Sequence, residues 1–434
     1  MNAVTNDNFI WHPFTQMKTA DPPIHIAKAK GALLYDNEGK EYIDAISSWW
    51  VNIHGHANEK IAAAIAQQAL QLEQVIFAGF VHTPAIELSK KLVDILPGDF
   101  AKVFFSDNGS TAVEVAIKMA VQFWHNQGIK SKTKIIAFEN AYHGDTFGAM
   151  SAGARSAFSA AFDPLLFSVH HIPVPTENNL QELLALLEKL CTQEDIAAFI
   201  FEPLVQGASG MLMHQPKHLD QLLAVAKEKN ILLIADEVMT GFGRTGSNFA
   251  MEQLTTKPDI VCVSKGITGG FMPLGITACT QKIYDAFHAD DNTKTFYHGH
   301  SYTANPLACA AANASIEILL SAKCQQAIQR ISNSHEAFAK TIAGNAFVKE
   351  VRQQGTIIVL ELNTGESTSY FNSIKKEAYR FYLKNGVLLR PLGNVVYIMP
   401  PYCITNEELE KVYTVIIESL VHLQKKLPDG SFIS

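Results

Sequence analysis

Two apolar runs in this chain end in residues that can do covalent and acid–base chemistry. Ile231-Leu232-Leu233-Ile234-Ala235 runs into Asp236-Glu237, and Ile260-Val261-Cys262-Val263 runs into Ser264-Lys265-Gly266. Sheet enzymes hold their ligands at the carboxyl ends of strands, so Asp236 and Lys265 could face one pocket. A third segment, Ser106-Asp107-Asn108-Gly109-Ser110-Thr111, joins the strand-like Val103-Phe104-Phe105 to a helical pattern starting near Thr111. Free N–H groups, the positive end of a helix dipole, a glycine at 109 and two hydroxyls make that junction a phosphate cup. Singly, each has a plainer reading: the lysine as a surface residue, the loop as an ordinary helix cap. Together they supply what pyridoxal phosphate demands. Lys265 would form a Schiff base, Asp236 would keep the pyridine nitrogen protonated, and the helix start at Gly109 and Ser110 would hold the phosphate.

One motif points elsewhere. Gly241-Phe242-Gly243-Arg244-Thr245-Gly246 satisfies GxGxxG, the dinucleotide fingerprint. That fingerprint needs its first glycine just after a strand and its last opening a helix. Here Asp236-Glu237-Val238-Met239-Thr240 intervenes after the strand, Arg244 sits inside the loop, and no helical pattern comes after it. A nicotinamide oxidoreductase therefore rests on a loop in the wrong context.

The elements that must position these groups alternate along the chain. The stretch 31–44 reads as a hairpin around Asp36-Asn37-Glu38-Gly39, and helical periodicity covers residues 60–72, 85–95 and 111–124. Apolar strands are expected at residues 134–138, 198–201, 231–235 and 260–263, with helices at 180–190 and 218–228 between several of them. Continuous apolar strands alternating with helices predict an α/β fold whose mostly parallel sheet is covered on both faces. A long helix near residues 304–320 comes next. The remainder, about 330–434, has shorter strands and polar loops, as in a smaller α+β domain.

Composition narrows the class. The 434 residues carry 35 Lys+Arg and 42 Asp+Glu, a net charge of −7, with 47% hydrophobic and only 18% charged residues. That apolar share excludes a disordered polyelectrolyte, and the mild acidity without basic blocks argues against nucleic acid as a partner. No apolar run approaches the roughly 18 residues that would span a bilayer. Residues 1–8 lack the basic and apolar regions of a secretory signal, so a cytoplasmic location is expected. The six cysteines, 191, 262, 279, 309, 324 and 403, lie singly among apolar neighbours and read as reduced core residues. His54-Gly55-His56 and His298-Gly299-His300 lack any accompanying ligand framework, so no metal is expected.

With Ala235-Asp236-Glu237-Val238, the glycine loop 241–246, Ser264-Lys265-Gly266 and Pro273-Leu274-Gly275, the chain resembles the class III aminotransferases over nearly its whole length. That resemblance implies the aspartate-aminotransferase fold, pyridoxal-phosphate fold type I. A large cofactor domain would span residues 49–329, and a small domain would combine residues 1–48 and 330–434. It also makes the glycine loop a family feature.

Further segments narrow the resemblance: Trp11-His12-Pro13-Phe14-Thr15-Gln16, Ser47-Ser48-Trp49-Trp50, residues 141–151 beginning Ala141-Tyr142-His143-Gly144, Arg390-Pro391, and Tyr397-Ile398-Met399-Pro400-Pro401-Tyr402. They are similar to the biotin-pathway branch, whose members move an amino group from S-adenosylmethionine to 8-amino-7-oxononanoate. Position by position, this implies that Lys265 carries the cofactor and shuttles the proton, Asp236 faces the pyridine nitrogen, and Gly109 and Ser110 bind phosphate. Tyr142 would lie against the cofactor ring. Gly299, His300 and Ser301 match a segment that reaches the phosphate from the neighbouring subunit, which implies a homodimer. His300 departs from the family pattern, leaving its backbone as the contributing part. Arg390 would pair with a substrate carboxylate, and Trp49 would contact the long-chain substrate. Neighbouring side chains of an extended segment point opposite ways, so Trp50 is read as support. Phe14 stands where many relatives have tyrosine and so lacks one substrate hydrogen bond. Arg244 is a candidate second-substrate or loop-fixing residue, and Asp145 a structural neighbour of Tyr142. The nearest rival keeps the chemistry and changes the substrate, as a lysine-donor, ω-amino-acid or amine aminotransferase. A cofactor-free binding protein would need Asp236 and Lys265 to lie far apart.

Overall fold

In the computed structural model, which describes residues 9–426, a seven-stranded sheet carries the candidate site. Its spatial order is Phe100–Ser106, Gly275–Thr280, Ile260–Val263, Leu232–Asp236, Ile196–Phe201, Lys134–Phe138, Val169–Ile172. Gly275–Thr280 runs antiparallel to both neighbours, and the strands from Ile260–Val263 outward to Val169–Ile172 pair in parallel. The parallel register sets Ile234 beside Ile260 and Asp236 beside Cys262.

The continuous apolar runs divide cleanly between two cores, because successive strand residues point to opposite faces. Val261, Val263, Leu233, Ala235, Phe199 and Phe201 pack on one side. Ile260, Cys262, Leu232, Ile234, Ala198 and Ile200 pack on the other. Helix Gly109–Asn126 closes the second face with Ala112, Val113, Ala116, Ala120 and Trp124, and the Trp124 indole donates to the Ala197 carbonyl at 2.9 Å. Both faces being dry explains why these strands alternate so little in the sequence.

The N-terminal and C-terminal parts of the described residues come together. Ile26–Lys30, Leu33–Asp36 and Glu41–Asp44 form an antiparallel meander, and Val387–Leu388 joins its third strand in parallel. Beside it, Val348–Gln354, Ile357–Leu362 and Val395–Ile398 form an antiparallel sheet, flanked by helices including Asn406–Gln424. The single helix Ala322–Ile342 runs across position 330, where sequence alone suggested a boundary.

Several expectations need correction. The helix expected from Thr111 begins two residues earlier, at Gly109. Cys403 is exposed and Cys191 half-buried; Cys262, Cys279, Cys309 and Cys324 are the buried four. The segment Ser47–Trp50 is a tight, irregular turn rather than an extended segment, with positive φ at Ser47 (51°), Ser48 (59°) and Trp50 (68°). Buried Asp44 holds this turn, accepting from the Ser48 N–H at 2.8 Å and its hydroxyl at 2.9 Å while His56 lies 2.8 Å away. No single described helix is long and apolar enough to cross a membrane. The reading of residues 1–8 concerns positions outside those described.

Candidate active site

The carboxyl ends of the central strands open into a cavity of about 420 Å³. Asp236 is the last residue of its strand, buried, and Lys265 lies two residues past the end of the adjacent strand. The chain turns sharply at Lys265, with φ of 47°, and the Ser264 hydroxyl fixes the bend by donating to the Leu274 carbonyl at 2.6 Å. Asp236 and Lys265 therefore face one cavity, as their strand-end positions predicted.

The Lys265 amine lies 4.7 Å from the centre of the Trp50 ring. Burial pushes it down to about 8, against the opposing pull of Asp236 and Glu202 and with help from Arg244. Asp236 is fixed through both oxygens: Oδ1 accepts from the Val238 N–H at 3.1 Å, and Oδ2 lies 2.7 Å from His143 Nδ1. Glu202 is buried on the same wall and accepts from the N–H groups of Tyr142 (3.1 Å) and Gly207 (3.0 Å). Burial raises its carboxyl to about 7, with His143 opposing and Asp236 adding to the rise.

At the other side, Asn108 caps helix Gly109–Asn126. Its Oδ1 accepts from the Thr111 N–H, while the Thr111 hydroxyl accepts from the Asn108 N–H. The N–H groups of Gly109 and Ser110, at the first two helical positions, are left without intrahelical acceptors and line the cavity. Gly109 is needed here for space, since a Cβ would lie 2.6 Å from Val238 Cγ1. Tyr142 lines the cavity too, and burial together with Asp145 raises its phenol well above the ordinary value.

A pyridoxal phosphate fits this donor set. A buried amine, a fixed carboxylate and a glycine-lined helix start with free N–H groups face one space, and buried Ser106 Oγ and His143 Nε2 have no hydrogen-bond partner.

The remaining candidates fall into three places. Phe14, Trp49 and Arg390 gather outside the cavity: Phe14 lies 5.6 Å from Trp49 between ring centroids, and the Arg390 guanidinium 5.1 Å over the Trp49 ring. Gly299, His300 and Ser301 do not line the cavity of their own chain; Gly299 and Ser301 are exposed, and the Ser301 carbonyl accepts from Gln74 at 2.7 Å. Arg244, a candidate for second-substrate contact or loop fixing, makes the contacts of a loop-fixing residue. It is 1% exposed and donates to the carbonyls of Pro400 at 2.9 Å and Trp50 at 3.2 Å. The glycine loop around it packs on the hairpin of Val348–Gln354 and Ile357–Leu362, where Thr356 N–H donates to the Arg244 carbonyl at 3.0 Å.

Sequence reasoning missed Trp50 as a cavity wall, and also His143 and Glu202. Glu202 carried a readable signal, because Ile196–Phe201 is another apolar strand ending in a carboxylate. His143 carried none beyond its place beside Tyr142.

Comparison with known proteins agrees with this geometry. The family model for aminotransferase class-III matches residues 15–420. An adenosylmethionine-8-amino-7-oxononanoate aminotransferase of Synechococcus elongatus is 49% identical over 419 residues, covering 95% of this chain and 98% of the relative. The crystal structure of the enzyme of that name from Methanocaldococcus jannaschii superimposes with a TM-score of 0.91 at 37% identity, covering 96% of this chain and 97% of that one. An amine transaminase from an uncultivated Pseudomonas species, in its PLP-bound form, gives a TM-score of 0.89 at 30% identity, covering 96% and 100%. A strand-end lysine facing a buried, fixed aspartate beside a helix start, in a chain matched almost end to end, has one family reading: the chain belongs to the class-III aminotransferases.

Proposed function

We propose that the chain transfers the amino group of S-adenosylmethionine to the ketone of 8-amino-7-oxononanoate, giving 7,8-diaminononanoate, with pyridoxal 5′-phosphate as cofactor. The observation that carries this reading is Lys265 and buried Asp236 facing one cavity in a chain 49% identical to a relative named for this reaction. When bound, the cofactor supplies an electron sink for the carbon that loses its proton.

The chain's own residues do the rest. Asp236, held by His143 and the Val238 N–H, would present its carboxyl oxygens to the pyridine nitrogen. The N–H groups of Gly109 and Ser110 bind the phosphate at the positive end of their helix. With its amine lowered to about 8, Lys265 has a neutral fraction near physiological pH, so Nζ can take a proton from the donor's α-carbon and later return one. Tyr142 and Trp50 confine the reacting groups and exclude water.

Both substrates use the site in turn, in ping-pong order. The aromatic wall of Phe14, Trp49 and Tyr142 suits an adenosyl sulfonium by stacking and cation–π attraction and an alkyl chain by apolar contact. Arg390 suits a carboxylate, being always charged and bidentate. The segment 299–301, with Gly299 and Ser301 exposed, supports a homodimer in which each subunit completes the other's phosphate site. A cytoplasmic enzyme agrees with free cysteines and the absence of a spanning helix among the described residues.

The test is the donor half-reaction, monitored by the cofactor's colour change. S-adenosylmethionine should bleach the enzyme, and lysine or β-alanine should not. Bleaching by lysine or β-alanine alone would overturn the donor and point to an ω-amino-acid or lysine-using relative.

A further inference from the structure

Arg390 does not stand alone outside the cavity. Lys375, the first residue of helix Lys375–Lys384, places its Nζ 3.1 Å from the centre of the Tyr370 ring. Tyr370 is half-buried and meets Phe158 edge-on at 4.9 Å, and Phe158 in turn meets Phe14 at 6.2 Å. With Trp49 under the Arg390 guanidinium, these rings form a collar holding two cations.

Among the described residues no carboxylate pairs with Lys375 or Arg390. Asp21, the acid beside this helix, is taken by Arg380 and Lys376. Burial depresses the Lys375 amine, the Tyr370 hydroxyl opposes that shift and the Arg390 charge adds to it. Burial would raise the Tyr370 phenol, yet Lys375 and Arg390 together bring it below its ordinary value. Two partly dehydrated cations sharing one phenol are in mutual repulsion, which an anion between them would relieve. The collar also connects to the reacting end. Arg390 acts on Tyr397, whose hydroxyl accepts from the Trp50 indole at 2.9 Å, and Trp50 lies against Lys265.

We propose that Lys375 and Tyr370 complete, with Arg390, a two-cation receptor for the carboxylate of the long-chain keto-acid substrate. This deepens the reading under Proposed function and rests on it for the identity of the acid. Lys375 is then a specificity residue that selects an acid over an uncharged ketone of the same length, and Tyr370 holds the two cations apart until the carboxylate arrives.

The test uses the cofactor-loaded protein and nonanoate as probe, with nonanamide as its uncharged counterpart, measured by calorimetry. Lys375→Met should weaken nonanoate binding about tenfold and leave nonanamide within about twofold, since one charge-assisted hydrogen bond is lost. Tyr370→Phe should cost about threefold for nonanoate, and Lys375→Arg should restore the wild-type affinity. In the acceptor half-reaction, Lys375→Met should raise KM for 8-amino-7-oxononanoate more than it lowers kcat. Equal nonanoate affinity in Lys375→Met and wild type, with unchanged circular dichroism, overturns the receptor. So does an equal loss for nonanoate and nonanamide, which would mark a packing effect. A protein that rejects S-adenosylmethionine yet binds nonanoate through Lys375 refutes the donor reading and upholds the receptor.

Discussion

His143 Nδ1 lies 2.7 Å from Asp236 Oδ2, both side chains buried at the end of strand Leu232–Asp236. The contact does two things at once. It fixes the plane of the carboxylate that would face the cofactor, and it sets a proton-binding group behind that carboxylate, out of reach of solvent.

The pair should be visible in the pH dependence of stability. Burial works against charging His143, but Asp236 and Glu202 prevail and raise the imidazole above its ordinary 6.5. A base raised in the fold stabilises it fully below its unfolded value, and that contribution is lost as pH rises through the folded value. The Tm difference between wild type and His143→Gln, both cofactor-free, should therefore be largest near pH 6 and shrink at higher pH. A constant difference from pH 6 to 9 would sink the assignment.

Lys265 should show the opposite sign. Its amine is lowered from 10.5 to about 8 by burial, so below pH 8 the fold carries a buried ammonium. That penalty, up to about 3 kcal/mol, fades as pH rises from 8 to 10.5. Cofactor-free Lys265→Met should unfold at a higher temperature than wild type at pH 7, and the gap should close above pH 10. The same variant should lose about 10²–10⁴-fold in transamination rate and take up no label on borohydride reduction.

Replacing Arg244 by methionine should leave the carbonyls of Trp50 and Pro400 without donors. A loss of about 2–4 kcal/mol is expected from chemical denaturation, because both acceptors are buried. Trp50 should loosen with it, seen as a shift in tryptophan emission. Unchanged stability would show that the brace is dispensable.

Gly355 should tolerate no side chain. A Cβ there would lie 2.1 Å from the Gly246 nitrogen, and its φ is +56°. Gly355→Ala should cost about 2–4 kcal/mol, whereas Gly344→Ala, with open space around it, should cost about 1 kcal/mol from its positive φ alone. Equal Tm values for the two variants would contradict the close approach of loop and hairpin.

Phe14→Tyr should add the hydroxyl that the family resemblance implies at this position. The ring already lies beside Trp49, half-exposed, so the added group meets no steric barrier. KM for 8-amino-7-oxononanoate should fall up to about tenfold; a rise would mean that the hydroxyl has no partner in this chain.

Much of the site was legible because two covered sheet faces leave a plain mark. Ile260–Val263 matches its sequence expectation residue for residue, and Asp236 and Lys265 are conspicuous as the polar groups that terminate apolar runs. Gly275–Thr280 was not anticipated. It inserts antiparallel between two strands, carries a glycine and a buried Thr277, and so shows neither a clean apolar run nor alternation. The turn Ser47–Trp50 was misread for a related reason: its backbone is dictated by Asp44 and His56, which no local propensity encodes.

Residue types and their spacing were enough to determine the chemistry, because a lysine, a carboxylate and a glycine-led helix start are scarce at strand ends and are recognisable there without coordinates. Tertiary structure alone decided who stands behind them. His143 behind Asp236, Trp50 against Lys265, Arg244 between Trp50 and Pro400, and Arg390 over Trp49 are contacts between segments distant in the chain. Burial and neighbouring charge act through space, so no short window of sequence contains the groups that shift His143 and Lys265.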